Sequence, residues 1–171
     1  MSYLVCHMEK YKRQDVSPIE KENERDENYD ATNSQIDSQR TKNNYHIISP
    51  QEKYLDFIKQ RISTLSLSRK LRSDAIYMNS FILGSDGEFF KSLSKYEQQK
   101  FFEDCTNFFS EKYGRENVIS AIVHEDETTP HMHFNFVPIV NGSYVLKIYL
   151  TRKNYQCCKR NFTKLLAKSM G

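Results

Sequence analysis

The 171-residue chain reads as an α+β domain: an antiparallel sheet of about five or six strands with helices packed mainly on one face. Three observations predict this. Short runs rich in β-branched and aromatic residues recur at 3–8, 44–48, 75–83, 118–123, 131–137 and 143–150. Between some of them lie segments with apolar residues at helical spacing, 51–62 and 94–113. Asn141-Gly142 signals a tight hairpin between the His-x-His strand and 143–150, the connection that antiparallel neighbours use.

Taken in order, residues 3–8 are apolar enough for an opening strand. Residues 10–43 are dense in charge, Asn, Ser and Gln, and composition alone reads them as disordered. A strand at 44–48 ends before Pro50, and a helix over 51–62 carries Tyr54, Leu55, Ile58 and Ile62 toward a core. Arg69, Lys70 and Arg72 precede the strand at 75–83. They can clamp phosphate, Arg being suited to bidentate contact, or form a solvated loop. Ser94 and Glu97 form a capping-box signature for a helix bearing Phe101, Phe102, Cys105, Phe108, Phe109 and Tyr113, closed by Gly114. That stripe reads as core, not as a base-stacking platform. Thr151 is the expected N-cap of a final helix through Lys168.

The length suits one hydrophobic core and not two. A net charge of +3 is no argument for nucleic acid. After Asn141, however, Lys147, Arg152, Lys153, Lys159, Arg160, Lys164 and Lys168 occur with no acid among them; they either track a phosphate backbone or solubilise a helix. Cys6, Cys105, Cys157 and Cys158 are too scattered for a metal knuckle and read as reduced thiols. With no signal peptide and no apolar run of bilayer length, a soluble cytoplasmic protein is expected.

The chemistry concentrates in SAIVHEDETTPHMHFNFVP, residues 120–138, with three of the five histidines. In a strand alternate side chains share a face, so His131, His133 and Asn135 point one way while Met132, Phe134 and Phe136 enter an apolar layer. His124 falls at the end of the preceding strand, and pairing of the two strands lets all three imidazoles converge as a facial metal site. The alternative is an ordinary strand with two satisfied histidines. Zinc, copper, nickel, cobalt and manganese all suit three imidazoles. Neutral ligands leave the ion its full charge, which favours polarising an anionic phosphate oxygen. Glu127 is the natural acid/base group, and Asp126 can equally orient a histidine.

The segment HEDETTPHMH, 124–133, resembles the third motif of the Mob/Pre (MobV) plasmid mobilisation relaxases, in which two histidines flanking one bulky apolar residue form the HUH signature of DNA-nicking enzymes. The opening MSYLVCHMEKYK, ENER at 22–25, NNY at 43–45 and RSDAI at 72–76 resemble further family landmarks in the right order. The resemblance covers nearly the whole chain and implies a single HUH-relaxase-like domain over 1–171, with segment 10–43 lying over the active site and ordering on DNA. It implies metal-dependent transesterification at an origin of transfer, with a covalent 5′-phosphate link and a free 3′-OH, in the bacterial cytoplasm. His124, His131 and His133 match the metal ligands, with manganese or magnesium expected and zinc, cobalt or nickel compatible. Glu127 matches the acid that positions or activates the nucleophile. Tyr45 matches a catalytic position, and Arg25, Asn44 and Arg72 match DNA-contacting ones. The expected partner is single-stranded or hairpin origin DNA, and Tyr29 and Tyr45 are candidates to stack on unpaired bases. Family members usually continue into a longer C-terminal region, absent here, that supports dimers.

One departure stands out: Glu22 occupies the place of the nucleophilic histidine in the family's HNxR motif. A carboxylate is a weak nucleophile, and its acyl phosphate hydrolyses readily. Glu22 can be the nucleophile of a divergent branch, or Tyr45, His46 or His7 can serve instead. Otherwise the chain binds origin DNA in plasmid recombination or maintenance without efficient cleavage.

Overall fold

Five strands, β1 (Leu4–Lys12), β2 (Tyr45–Ile48), β3 (Ile76–Ser85), β4 (Val118–His124) and β5 (His131–Phe136), form one sheet in the order β1-β3-β5-β4-β2. Every neighbouring pair is antiparallel. This computed structural model describes residues 4–28, 33–67 and 70–145. Beside the sheet stands a two-stranded hairpin, β6 (Ile139–Val140) and β7 (Ser143–Tyr144). Its turn places Asn141 at φ 51° and Gly142 at φ 71°, the pair of positive angles that a tight Asn-Gly turn demands.

The α+β architecture and the antiparallel five-stranded sheet are as expected, but the helices divide over both faces. Helix α4 (Lys95–Tyr113) and the short α3 (Gly87–Lys91) cover one face. There Phe89, Phe90, Phe101, Phe102, Cys105, Phe109 and Tyr113 pack on Phe81, Leu83, Met132, Phe134 and Phe136. Ser94 and Glu97 make the expected reciprocal cap, and Gly114 ends the helix at φ 87°. On the other face, α1 (Arg13–Asn23) and α2 (Tyr54–Ser63) cover the half of the sheet remote from the histidines. Val16, Tyr54 and Ile58 are buried there against Met78 and Ile119. The histidine-bearing face is thus roofed over part of its length and left for chemistry at one end.

The described residues of the 10–43 segment, 10–28 and 33–43, are more ordered than the composition suggests. Strand β1 runs on to Lys12, α1 follows, and a 3-10 turn spans Thr41–Asn43. Among the described residues, Val16 and Ile19 alone supply α1 with core contacts, too few for a visible helical period, yet Val16 is fully buried. The five-residue α3 also escapes a periodicity reading; Asp86 caps it by accepting from the Phe89 N–H at 2.9 Å. The predicted strand 143–150 begins as β7. Val145 is no longer strand, and residues 146–150, the final helix 151–168, the basic residues 147–168, Arg69 and Tyr29 lie outside the described residues. Among the described residues no helix is long and apolar enough to cross a membrane. Cys6 and Cys105 are thiols outside any disulfide, and Cys157 and Cys158 lie outside the described residues.

Candidate active site

Strand pairing brings the three histidines together. His124 lies opposite His131 in the β4–β5 register, and His133 is the next residue on the same face of β5. Their ring centroids are 5.4 Å (His124–His131), 4.9 Å (His124–His133) and 5.1 Å (His131–His133) apart. One donor nitrogen from each can be chosen so that all three lie within 4.8 Å of one another, a spacing that fits a shared cation. The His131 Nδ1–H donates to the Thr129 carbonyl at 3.0 Å, which fixes the tautomer and leaves Nε2 for a ligand. Gly84 sits beside His131 on β3, where a Cβ would meet the Pro130 carbonyl oxygen at 3.3 Å.

The end of α1 closes over this cluster through its C-terminal cap. The Asp26 N–H donates to the Lys21 carbonyl at 2.9 Å and the Arg25 N–H to the Glu22 carbonyl at 3.2 Å, the bond pattern of a Schellman motif. Glycine normally takes the left-handed position in that motif, but here Arg25 holds it at φ 51°. The strained turn does two things. It places the Asn23 carbonyl where the His124 Nε2–H donates to it at 2.8 Å. It also aims the Arg25 guanidinium between His124 and two acids.

Arg25 Nε and Nη2 donate to the two oxygens of Asp126 at 2.9 and 3.0 Å. Nη2 also reaches Glu127 Oε1 at 2.8 Å and His124 Nδ1 at 3.1 Å, while Nη1 donates to the Glu22 carbonyl at 2.9 Å. Donor atoms of His124, Asp126 and Glu127 also cluster within 4.8 Å, but this guanidinium already supplies the cation among them. The three-imidazole cluster is therefore the better metal candidate. Both nitrogens of His124 have partners, so a cation shared with His131 and His133 displaces either the Asn23 carbonyl or Arg25 Nη2.

Electrostatics keep His124 and His133 in the neutral ligand state. Burial first, then the charge of Arg25, pushes the His124 pKa down to about 4. His133 is pushed well below the ordinary histidine value by burial, then by His124, His131 and Arg25. Burial works against ionisation of Asp126, yet hydrogen bonds from Arg25 and Asn44 hold its carboxyl well below the usual carboxylate range. Asp126 is fully buried and accepts also from Thr41 Oγ1 at 3.0 Å and Asn44 Nδ2 at 2.8 Å. Its backbone carbonyl takes the Asp37 N–H at 2.8 Å. Next to it, the Glu125 N–H donates to Asn44 Oδ1 at 2.7 Å, and Arg40 donates to the Glu125 carbonyl. Asn33 Nδ2 donates to Glu127 Oε2 at 3.3 Å. The 125–127 loop thus anchors the polar segment by hydrogen bonds where apolar contacts are few.

The predicted site residues are placed unequally. Arg25, Asn44, Asp126 and Glu127 lie with the histidines, the first two engaged by the acids. Glu22 is the penultimate residue of α1, half-buried. Tyr45 does not join them: it pairs with Val123, packs with the α4-side core, and lines a cavity of about 350 Å³ with Asn43, Lys95, Gln99 and Glu125. Opposite residues of paired strands share a face, so the sheet itself separates Tyr45 from the imidazoles. Arg72 precedes the far end of β3, whose other end at Gly84 faces His131. At strand rise that is roughly 27 Å, and the exposed Arg72 pairs with Asp74 at 3.1 Å. His7 and His46 do lie on the histidine face, paired with Ile82 and Ile122 respectively. The sequence reading did not find the Asn23 carbonyl, because no glycine marks the cap, nor the pairing of Glu24 with His46 at 2.8 Å.

Three imidazoles beside an arginine-bridged acid pair make up a site suited to metal-assisted chemistry on an anionic substrate. The family model for plasmid recombination enzymes (Mob_Pre) matches residues 1–168, and the chain belongs to that family. It is 36% identical over 172 residues to a plasmid recombination enzyme type 2 of Staphylococcus aureus, covering 98% of this chain and 40% of that protein. A plasmid recombination enzyme of a Bacillus species is 35% identical over 170 residues, covering 98% of this chain and 41% of that protein. The chain thus spans about two fifths of the length of these curated relatives. Its fold matches the MobM relaxase domain bound to plasmid pMV158 oriT DNA in a Mn-bound crystal structure. That match has a TM-score of 0.86 at 30% identity, covering 97% of this chain and 86% of the other. A MobM relaxase domain bound to 26-nucleotide oriT DNA matches with a TM-score of 0.77 at 27% identity.

Proposed function

We propose that this chain is a strand-nicking relaxase domain, cutting and rejoining single-stranded or hairpin DNA at a plasmid or mobile-element origin of transfer. The observation that carries this reading is the convergence of His124, His131 and His133 beside Arg25 and Glu127 on one end of a sheet face. These three residues would hold a divalent ion, with manganese or magnesium expected and zinc, cobalt or nickel compatible with the ligands. Such an ion, when bound, neutralises charge on the scissile phosphate. Arg25 sets a fixed positive charge against the same region, and Glu127 keeps that guanidinium in place. Glu22, on the turn that also carries the Asn23 carbonyl, is the attacking group in this reading: its carboxylate oxygen bonds to phosphorus as the 3′ oxygen leaves. The acyl phosphate retains the 5′ end until the 3′-OH returns.

The replacement of a histidine by Glu22 favours one second reading, an origin-binding module of plasmid recombination without efficient cleavage. Incubation of the chain with Mn²⁺ or Mg²⁺ and labelled single-stranded origin DNA, followed by a denaturing gel and peptide mapping, separates the two. A covalent adduct on Glu22, sensitive to hydroxylamine as acyl phosphates are, supports the relaxase reading. Tight DNA binding with no adduct across ions and origins leaves the binding module.

A further inference from the structure

One cross-strand row runs His7, Ile82, His133, Ile122, His46. Members of such a row point to the same face, so His46 stands on the side of the three imidazoles. It lies two strands from His133, about 10 Å along the row, toward the β2 edge. His46 Nε2–H donates to Glu24 Oε2 at 2.8 Å. The other Glu24 oxygen accepts from the Tyr54 hydroxyl at 2.6 Å. Tyr54 in turn contacts Ser120 Oγ at 2.6 Å, and Ser120 accepts from Asn135 Nδ2 at 2.9 Å. Tyr54, Ser120 and Asn135 are buried, so the carboxylate is braced from behind. Burial opposes ionisation of Glu24, but its bonds to His46 and Tyr54 bring its pKa below the ordinary value. A fixed carboxylate of this kind sets the tautomer and the orientation of its histidine. Nδ1 is then the ring atom available to a substrate.

Glu22 lies on the opposite side. Residues two apart in a helical turn diverge by about 200°, so Glu22 points away from Glu24 and toward β1. The charge of Glu22 is felt there by Tyr11, whose pKa is pushed up to about 12 by burial, then by Glu9, Glu22 and Asp15. Glu22, turned toward β1, and His46, on β2, therefore lie toward opposite edges of the sheet with the histidine strands β5 and β4 between them, the side-to-side order that attacking and leaving oxygens take in a displacement at phosphorus.

We infer that His46, held by Glu24, is the general acid that protonates the departing 3′ oxygen during strand cleavage, and the base that recovers that proton on rejoining. The inference rests on the relaxase reading above. The Glu22 oxygen forms its bond to phosphorus, the bond from phosphorus to the 3′ oxygen breaks, and the Nδ1 proton passes to that oxygen, leaving neutral His46 with its Nε2–H on Glu24. Rejoining reverses each transfer, with no further reactant.

A leaving group that needs no proton tests this directly. The wild-type cleavage site is first selected from a randomised single-stranded DNA pool in Mn²⁺, then synthesised with either the normal 3′ oxygen or a bridging 3′ sulfur at the scissile bond. His46→Gln is expected to slow cleavage of the oxygen substrate by roughly 10²–10⁴-fold. It should cleave the sulfur substrate within about threefold of wild type, since a thiolate departs unprotonated. Glu24→Gln, which keeps an oxygen for Tyr54, should show a smaller loss with the same rescue. Equal losses on both substrates, or no loss on either, overturn the role of His46 while leaving the relaxase reading intact. A wild-type chain that cleaves neither substrate removes the relaxase reading and this role together.

Discussion

Asp126→Asn removes one charge from the centre of the site and leaves the shape of the side chain almost unchanged. The carboxylate is fully buried and accepts two bonds from Arg25, one from Thr41 and one from Asn44. Breaking a buried ion pair from one side typically costs about 3–5 kcal/mol, because the remaining charge loses its partner. Here Arg25 keeps Glu127 and the Glu22 carbonyl, which places the expectation at the lower end, about 3 kcal/mol. For a chain of this size that corresponds to a thermal midpoint roughly 6–12 °C lower. Urea unfolding followed by circular dichroism gives the free energy, and a double-mutant cycle with Arg25→Gln gives the coupling. Limited proteolysis should show new cleavage within residues 33–44, whose anchors are the 125–127 loop. A loss under about 1 kcal/mol, or strict additivity of the two substitutions, would show that the pair does not hold the segment down.

Three further outcomes are expected. In the metal-free chain, folded His124 takes a proton only near pH 4 while the unfolded chain takes one near 6.5. Stability contributed by this group is therefore complete above 6.5 and falls as the pH drops toward 4, by about 3 kcal/mol; a flat melting temperature over that window in the presence of chelator contradicts it. His133→Ala should weaken Mn²⁺ binding by more than the roughly 10–100-fold typical of losing an outer partner, and unchanged calorimetric affinity would remove His133 from the ligand set. Phe102, fully buried and stacked with Phe90 at 5.6 Å, should cost about 3–5 kcal/mol as Phe102→Ala, and a loss below 1 kcal/mol would mean that α4 does not anchor the sheet.

Legibility of the fold followed the number of apolar residues that each element contributes. The α4 stripe and the His-x-His strand carry their signals within a few residues, and each is where the sequence placed it; the Asn141-Gly142 turn forms too, but it joins β6 to β7 rather than the His-x-His strand to 143–150, because β5 ends at Phe136 and pairs with β3 and β4. Helix α1 has two apolar contacts and an internal Pro18, so nothing local marks it; its place is set by Met78, Tyr54 and Ile58 from distant parts of the chain. The convergence of three histidines was legible because strand alternation is a local rule. The side on which Tyr45 falls depends on which residue of β4 it meets, and a register is a long-range fact.

The polar segment shows why composition misjudged it. A sequence poor in apolar residues is read as disordered because it cannot offset the entropy of ordering by burying surface. Residues 24–28 and 33–44 are ordered through donors that meet ready-made acceptors instead. The 125–127 loop carries buried or half-buried acids at the end of a rigid hairpin, and Arg25, Thr41 and Asn44 supply their partners, with the Asp37 amide bonded to the loop backbone. Hydrogen bonds to a buried charge contribute more than ordinary ones, roughly 1.5–3 kcal/mol each, enough for a few to anchor a segment with little core. The dependence runs both ways. Asp126 would be an uncompensated buried charge without Arg25, and Arg25 would have no reason to hold a left-handed backbone angle without Asp126. The ENER and HEDE motifs, about a hundred residues apart in the chain, are thus one structural unit. A substitution in either should disturb the position of the other, and with it the turn that sets Asn23 against His124.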